Sequence, residues 1–496
     1  MRRYILSIDQ GTSGTKALLF DDEGRFVHRC NAEHQQYYPQ PGWVEHDAME
    51  IFNDTVNTID ALIEETGINP ANINALSITN QRETVVVWDK TTGEPIHNAI
   101  VWQCNRSSDI CDRISSNGYS EVIHSKTGLI LSPYYSASKI TWILENVPFA
   151  REKADNGDLL FGTIDSWLIY KFTRGKTHAT DCSNASRTQL MNIDELRWDD
   201  EIMSLFDIPK SMAPEICASD HIYGRMQVSS LANYNIPITG VLGDSHAALF
   251  GQNCYNRGMA KVTYGTGSSI MMNIGKKSYL SKKGLVTSVG WQVGGETVYV
   301  AEGNINCSAA TIKWIVDDLE LLPDANSSEE VASSVPDNGG VYLVPAFVGL
   351  GTPYWDSEAT ALITGITRGT KKAHIVRAAL ESMAYQVKDI LDIMTIEAYV
   401  PLGDIRVDGG PSRNNFFIQF QSDLLNTKII VNQVEEICAL GSAYVAGLST
   451  KLWKDYNELI ALRTNDTNFT SKIDDSTRES LYSNWKKAVS RTLAKF

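Results

Sequence analysis

Residues 4–20 read YILSIDQGTSGTKALLF. Two apolar runs, YILSI and ALLF, flank the polar stretch DQGTSGTK, a pattern that predicts a β-hairpin closed by a glycine-bearing turn. Gly11 and Gly14 let the backbone turn sharply and expose N–H groups, while Thr12, Ser13 and Thr15 add hydroxyls, giving a concave donor surface suited to phosphate. Lys16 adds a point charge of the right sign. The stretch has too few residues between its glycines for a Walker A loop, and it does not open a helix as a dinucleotide fingerprint does. Taken alone, it reads as an ordinary hairpin turn.

A second hairpin changes that reading. Residues 259–274, MAKVTYGTGSSIMMNI, again place two strand-like runs around a glycine turn, and Gly265 lies 254 residues after Gly11, about half of the 496-residue chain. Two such hairpins predict a duplicated architecture of two lobes, divided just after Gly251 into residues 1–251 and 252–496, each opening on a phosphate-type turn. A third element, RVDGGPSRNNFFIQF, predicts a strand at Ile405–Val407, then Gly409 and Gly410, then a helix near Asn414. Elsewhere strands and helices alternate, so the class is α/β. INALSIT and TVVVW are predicted as paired strands around the loop NQRE. His374–Met394 is predicted as a core helix with the stripe Val376, Leu380, Met383, Val387, Ile390 and Met394, and residues 480–496 as an amphipathic closing helix.

Composition narrows the class of function. A net charge of −15 disfavours phosphate-backbone binding, so no nucleic-acid partner is expected. No run reaches the length of a membrane span, and Asp9 interrupts the first apolar stretch too early for a secretory signal. The eight cysteines form no CxxC and the nine histidines show no metal-site spacing, which predicts reduced thiols, no structural zinc and a cytoplasmic location.

The ordered trio of turns resembles the layout of the sugar kinase, actin and heat-shock chaperone ATPase superfamily. Longer stretches are more specific: YPQPGWVEHD (38–47), ITNQRET (78–84), NAIVWQCNR (98–106), FGTIDSWLIYK (161–171), NASRTQL (184–190) and YLVPAFVGLGTPYWD (342–356). With YYSASKITWILEN (134–146) and ALITGITRGTKKAHIVRAALE (361–381), they resemble the FGGY carbohydrate kinases, and among these the glycerol kinases, over nearly the whole chain. The resemblance implies two ribonuclease-H-like lobes around a cleft that binds ATP, Mg2+ and a small polyol or sugar, in a homodimer or higher homo-oligomer. It places Asp9 near Mg2+ and Thr12, Ser13, Lys16, Gly265 and Thr266 at the phosphates. Gly409, Gly410 and Asn414 fall at the adenosine, and Arg82, Glu83, Trp102 and Tyr134 at the acceptor. Asp244, in VLGDSHAALFG, takes the role of general base beside substrate and metal; from its local sequence alone it reads as a helix N-cap.

Two positions depart from the glycerol kinase pattern. Ser245 stands where a glutamine is usual and Ser269 where a phenylalanine is usual, which predicts a larger, more polar acceptor pocket. Three readings follow. One is a kinase of glycerol or a closely related polyol. The second is a kinase of a longer polyol or ketose such as erythritol, xylitol or xylulose. The third is an actin- or chaperone-like ATPase with no sugar acceptor.

Overall fold

The computed structural model describes residues 2–434, 436–463 and 466–493. β1 (Tyr4–Gln10) and β2 (Gly14–Asp21) pair antiparallel as the sequence predicts, and β3 (Phe26–Glu33) extends the meander. On the other side of β1, β4 (Ile73–Asn80) and β5 (Pro237–Gly243) run parallel to it and to each other. The second lobe repeats the plan. β6 (Ala260–Tyr264) pairs antiparallel with β7 (Ser268–Gly275), β7 with β8 (Glu296–Ile305), and β6 runs parallel to β9 (Ile405–Gly409). Both sheets are therefore mixed, and in each the parallel strands end on the side facing the cleft.

Helix α1 (Ala48–Thr66) covers β2 and β3, capped by Asp47 at its start and by a left-handed Gly67 at its end. The lobes are joined by two helices that cross. α2 (Asp244–Gly251) leaves β5 of the first lobe and packs on β6 and β7 of the second. The long α3 (Lys372–Ala398) outruns its predicted span at both ends and buries all six stripe residues. After α4 (Asn415–Leu425), α5 (Ile437–Ser449) returns to the first lobe and lies on β1, β4 and β5. There Ser442 Oγ lies 2.8 Å from Ser7 Oγ and 3.0 Å from Ser77 Oγ. The core at this junction mixes Ile5, Leu18 and Leu242 with Met271, Val300 and Leu440, so a cut after Gly251 separates the sheets but not the packing.

α2 and α5 approach so closely that no side chain fits between them. A Cβ on Gly441 would lie 1.9 Å from the Ala247 carbonyl oxygen, and one on Gly251 would lie 2.4 Å from that of Ile437. Both neighbours are backbone and cannot rotate away. Gly441→Ala is expected to lower the thermal midpoint by several degrees, a cost of about 1–3 kcal/mol for an overpacked crossing. An unchanged midpoint would show that the helices separate freely.

One predicted pairing is wrong. INALSIT is β4 of the central sheet, but TVVVW contributes Val85–Asp89 to a separate sheet with Leu159–Thr163 and Ala99–Ile100. The chain leaves β4 through a tight corner in which Gln81 N–H donates to Gln10 O (2.7 Å) and Glu83 adopts φ 63°. That corner carries Arg82 and Glu83. The closing helix spans Asp475–Thr492, starting five residues earlier than predicted, and residues 494–496 lie outside the described residues.

The closing helix docks on α3 through a buried carboxylate. Asp389 accepts from Tyr482 Oη (2.6 Å), Trp485 Nε1 (2.8 Å) and Tyr354 Oη (2.9 Å). Burial pushes its carboxyl up from 3.8 to about 6 despite these donors. A folded value above the unfolded one means stability that is complete below pH 3.8 and lost as pH rises through 6, about 3 kcal/mol in all. Asp389→Asn removes this titration. Thermal melts of the two proteins are expected to shift in favour of the variant between pH 4 and 6.5 and to stay parallel above; a constant offset would contradict the assignment.

Candidate active site

The site is built at the carboxyl ends of the parallel strands. Asp9 closes β1 opposite Lys16 of β2, Arg82 and Glu83 follow β4, and Asp244 follows β5 as the first residue of α2. Gly243, not Asp244, occupies the N-cap position; Asp244 Oδ1 accepts from Ser245 N–H (2.5 Å) in the first turn. From the second lobe, β6 ends at the Gly265–Gly267 turn and β9 at Gly409 and Gly410. Gly409 sits at φ 92° with its α-carbon pressed against β6, where a Cβ would lie 2.0 Å from Tyr264 O, so only glycine fits.

A cavity of about 1170 Å³ lies between these ends. Asp9, Lys16, Asp244 and Ser245 line it from one lobe, and Lys261, Ser269, Asp408, Gly409 and Gly410 from the other. A second cavity of about 730 Å³ adjoins it at Gly410 and Arg413; its lining includes Thr266, Lys313, Leu380, Met383 and Asn414. The predicted nucleotide residues thus divide between the two, with Gly410 at the junction. Gly265, Thr12 and Ser13 line neither cavity and sit in the two turns beside them. Leu380 and Met383, predicted as core, do both jobs: they are buried in α3 and also wall the second cavity. Asn414 caps α4 by accepting from Phe417 N–H (2.9 Å).

The acceptor residues form a buried ion network behind Asp244. Arg82 donates from Nη1 and Nη2 to the two carboxylate oxygens of Glu302 (2.9 and 3.0 Å), and its Nε is ion-paired with Asp244 Oδ1 at 3.1 Å. Arg187 pairs through Nε with Glu83 (2.6 Å) and through Nη1 with Glu302 (3.0 Å). Burial alone would raise Glu302, but Arg187 and Arg82 outweigh it and hold its carboxyl far below the ordinary range. Burial is the larger influence on Glu83, whose carboxyl is raised against the pull of the same two arginines. Glu302 comes from β8 of the second lobe and its partners from the first, so the network spans the cleft. Asp244 is its exposed end, at 39% side-chain exposure.

Trp102 and Tyr134 close around the same corner. The Trp102 backbone N–H donates to Thr84 Oγ1 (3.1 Å), its Nε1 donates to Thr12 Oγ1 (3.0 Å), and its ring meets Tyr134 edge to face at 5.5 Å. The Tyr134 loop is held by buried Lys139, whose Nζ donates to the carbonyls of Pro133, Tyr134 and Tyr135 (2.5, 2.7 and 3.0 Å). None of Arg82, Glu83, Trp102 and Tyr134 lines the larger cavity, which stops at Asp244 and Ser245. Of the two departures from the family pattern, Ser245 and Ser269 both face that cavity, and Ser269 Oγ has no hydrogen-bond partner. His246 turns away, buried against Ser288 Oγ at 3.1 Å.

Lys16 differs from expectation. Its ammonium pairs with Glu436 Oε2 (2.8 Å) at the head of α5, and Glu436 also receives Arg29 Nη1 (2.5 Å). Its charge is therefore shared before any phosphate arrives. Burial pushes the Asp9 carboxyl up to about 7, opposed by Lys16 and reinforced by Asp244 and Glu436. Among residues without a predicted role, Arg187 lies in a quoted motif, NASRTQL. Glu302 carries its own signal as a lone charge inside the apolar strand VYVAEGNI.

The chain matches the N-terminal domain of the FGGY family of carbohydrate kinases over residues 4–251 and the C-terminal domain over residues 260–450. It belongs to that family. This FGGY kinase is 50% identical over 491 residues to glycerol kinase 2 of Thermotoga maritima, covering 99% of both chains. It is 49% identical over 494 residues to the glycerol kinase of Bacillus mycoides, covering 100% of each. Among solved structures, the Plasmodium falciparum glycerol kinase with ADP superposes with a TM-score of 0.95 at 38% identity, covering 100% of this chain and 99% of that one. A xylulose kinase from Lactobacillus acidophilus shares the fold alone, with a TM-score of 0.88 at 19% identity. The family makes the chain a phosphotransferase with an alcohol acceptor and ATP as donor, which sets aside the reading as a sugar-independent ATPase. No helix among the described residues is long and apolar enough to cross a membrane.

Proposed function

We propose that this kinase transfers the γ-phosphoryl group of ATP to a terminal hydroxyl of glycerol, with Asp244 as general base. The observation that carries the reading is the Arg82–Asp244 pair: a carboxylate on the cleft wall, oriented from behind by a buried guanidinium that is itself fixed by Glu302. A polyol hydroxyl is a weak nucleophile, and a carboxylate in hydrogen-bond reach accepts its proton as the new P–O bond forms. Arg82 and Glu83 supply a donor and an acceptor for vicinal hydroxyls, and the Trp102–Tyr134 pair supplies an apolar wall for the carbon chain. With the N–H groups of Gly11 and Gly265 spent inside their own turns, Thr12, Ser13, Thr266 and Gly267 supply the backbone N–H groups for phosphoryl oxygens, and the second cavity, with Leu380 and Met383, accepts the adenosine.

The carboxylates of Asp9 and Asp244 line the same cavity, and oxygen donors of this kind suit a hard cation. Asp9 and Asp244 would hold Mg2+ there. When bound it neutralises charge on the transferring phosphoryl group. Lys16 contributes to the same end to the extent that Glu436 releases it.

Ser245 and the unpartnered Ser269 hydroxyl support a second reading, in which a polyol or ketose of four or five carbons is preferred. Coupled ADP release with glycerol, dihydroxyacetone, erythritol, xylitol and xylulose separates the two. The highest kcat/KM is expected with glycerol; a tenfold advantage for a longer acceptor would establish the second reading.

A further inference from the structure

The outer face of the first lobe carries three metal-ligating side chains that the kinase reaction does not use. His28 and Cys30 are two apart on β3, so their side chains leave the same face of the strand. Glu65 reaches them from the last turn of α1, which packs over that face. The His28 Nε2–Glu65 Oε2 distance is 2.7 Å, and one nitrogen, one sulfur and one oxygen donor all lie within 4.8 Å of one another. Cys30 is buried, whereas His28 and Glu65 keep 37% and 56% of their side chains exposed, which leaves a path of entry.

The geometry points to a binding site for a zinc-class divalent cation at His28, Cys30 and Glu65, with its fourth position open to water. Tetrahedral zinc with bonds of about 2.0–2.3 Å places its ligand atoms roughly 3.3–3.8 Å apart. His28 and Glu65 need only spread from their hydrogen bond, and the most distant donors need only close from at most 4.8 Å, movements within reach of side-chain rotation. Thiolate and carboxylate together neutralise a dication, and the proton of the Cys30 thiol leaves to solvent on binding. Sulfur and imidazole donors select zinc, cobalt or nickel over magnesium, so this site is chemically distinct from the all-oxygen cleft around Asp9. The bound ion ties β3 to the end of α1. Histidine and cysteine two positions apart, with the third ligand 35 positions further on, match no sequence spacing associated with zinc, which is why the sequence predicts none.

Titration of the metal-free full-length protein with Co2+ tests the site. A thiolate-to-Co2+ charge-transfer band is expected to saturate at one equivalent, to persist in millimolar Mg2+ and to vanish on adding Zn2+. Cys30→Ser is expected to abolish the band and His28→Gln to weaken Co2+ binding at least tenfold, both with the Mg-ATP-dependent rate of the parent. Zn2+ is expected to raise the thermal midpoint of the parent and not of the serine variant. Absence of a thiolate band at one equivalent overturns the proposal, as does an equal band in Cys30→Ser. Should the serine variant fail to fold, parental Co2+ affinity in His28→Gln, whose side chain is partly exposed, overturns it equally.

Discussion

Replacing Asp244 by asparagine is expected to cut kcat by roughly 10²–10⁴-fold, the usual worth of a positioned general base, while ATP affinity stays within about twofold. The amide oxygen can still accept from Ser245 N–H, as Asp244 Oδ1 does (2.5 Å), while the charge pairing with Arg82 Nε at 3.1 Å is lost. The ability to take a proton disappears with it. Because Asp244 lies at the junction of cleft and ion network, its loss should fall on kcat rather than on acceptor KM. Single-turnover ADP formation with a fluorescent nucleotide binding control measures both. A kcat within threefold of the parent would remove Asp244 from the role.

Glu302→Ala is expected to destabilise the protein by about 3–5 kcal/mol, because it leaves two buried guanidinium groups, Arg82 and Arg187, short of their shared partner. The thermal midpoint should fall by on the order of 5–10 °C. The effect on activity distinguishes this pair from an ordinary buried ion bridge. Glu302 belongs to the second lobe and fixes both terminal nitrogens of Arg82, which belongs to the first. In Glu302→Gln, which keeps the shape but not the charge, acceptor KM is expected to rise at least tenfold with a smaller change in ATP KM. A control at the exposed Lys276–Glu296 pair should cost under about 1 kcal/mol despite its 2.6 Å separation, since solvent screens it. Equal effects at the two sites would mean that the buried network carries no special weight.

Local pattern made much of this molecule legible. The hairpins at Gly11 and Gly265 and the strand–Gly-Gly–helix element at 405–414 lie where alternation and turn residues place them, and the α3 stripe is buried throughout. These features report burial and turning within a few residues of each position. What could not be read are pairings set by the whole fold. Arg82 meets Glu302 across 220 positions, and Lys16 meets Glu436 across 420. Periodicity marks VVVW as a buried strand but does not say which sheet it joins; the Glu83 corner decides that. Nor does it reveal that α5 crosses back onto the first sheet, since its glycines look like helix weakeners until Ala247 is seen pressed against Gly441. The substrate set was carried by resemblance rather than by pattern, because a tryptophan and a tyrosine in an apolar context also suit a core.

Phosphoryl transfer from ATP to a terminal hydroxyl of a small polyol is the reaction that the cleft is built to carry out. Phosphorus NMR of the enzyme with Mg-ATP and glycerol follows that transfer directly. It should show ADP and a single phosphomonoester of glycerol growing in equal amounts, with neither formed by Asp244→Asn on the same timescale. Release of inorganic phosphate with glycerol left unmodified, or no consumption of ATP in its presence, would contradict it.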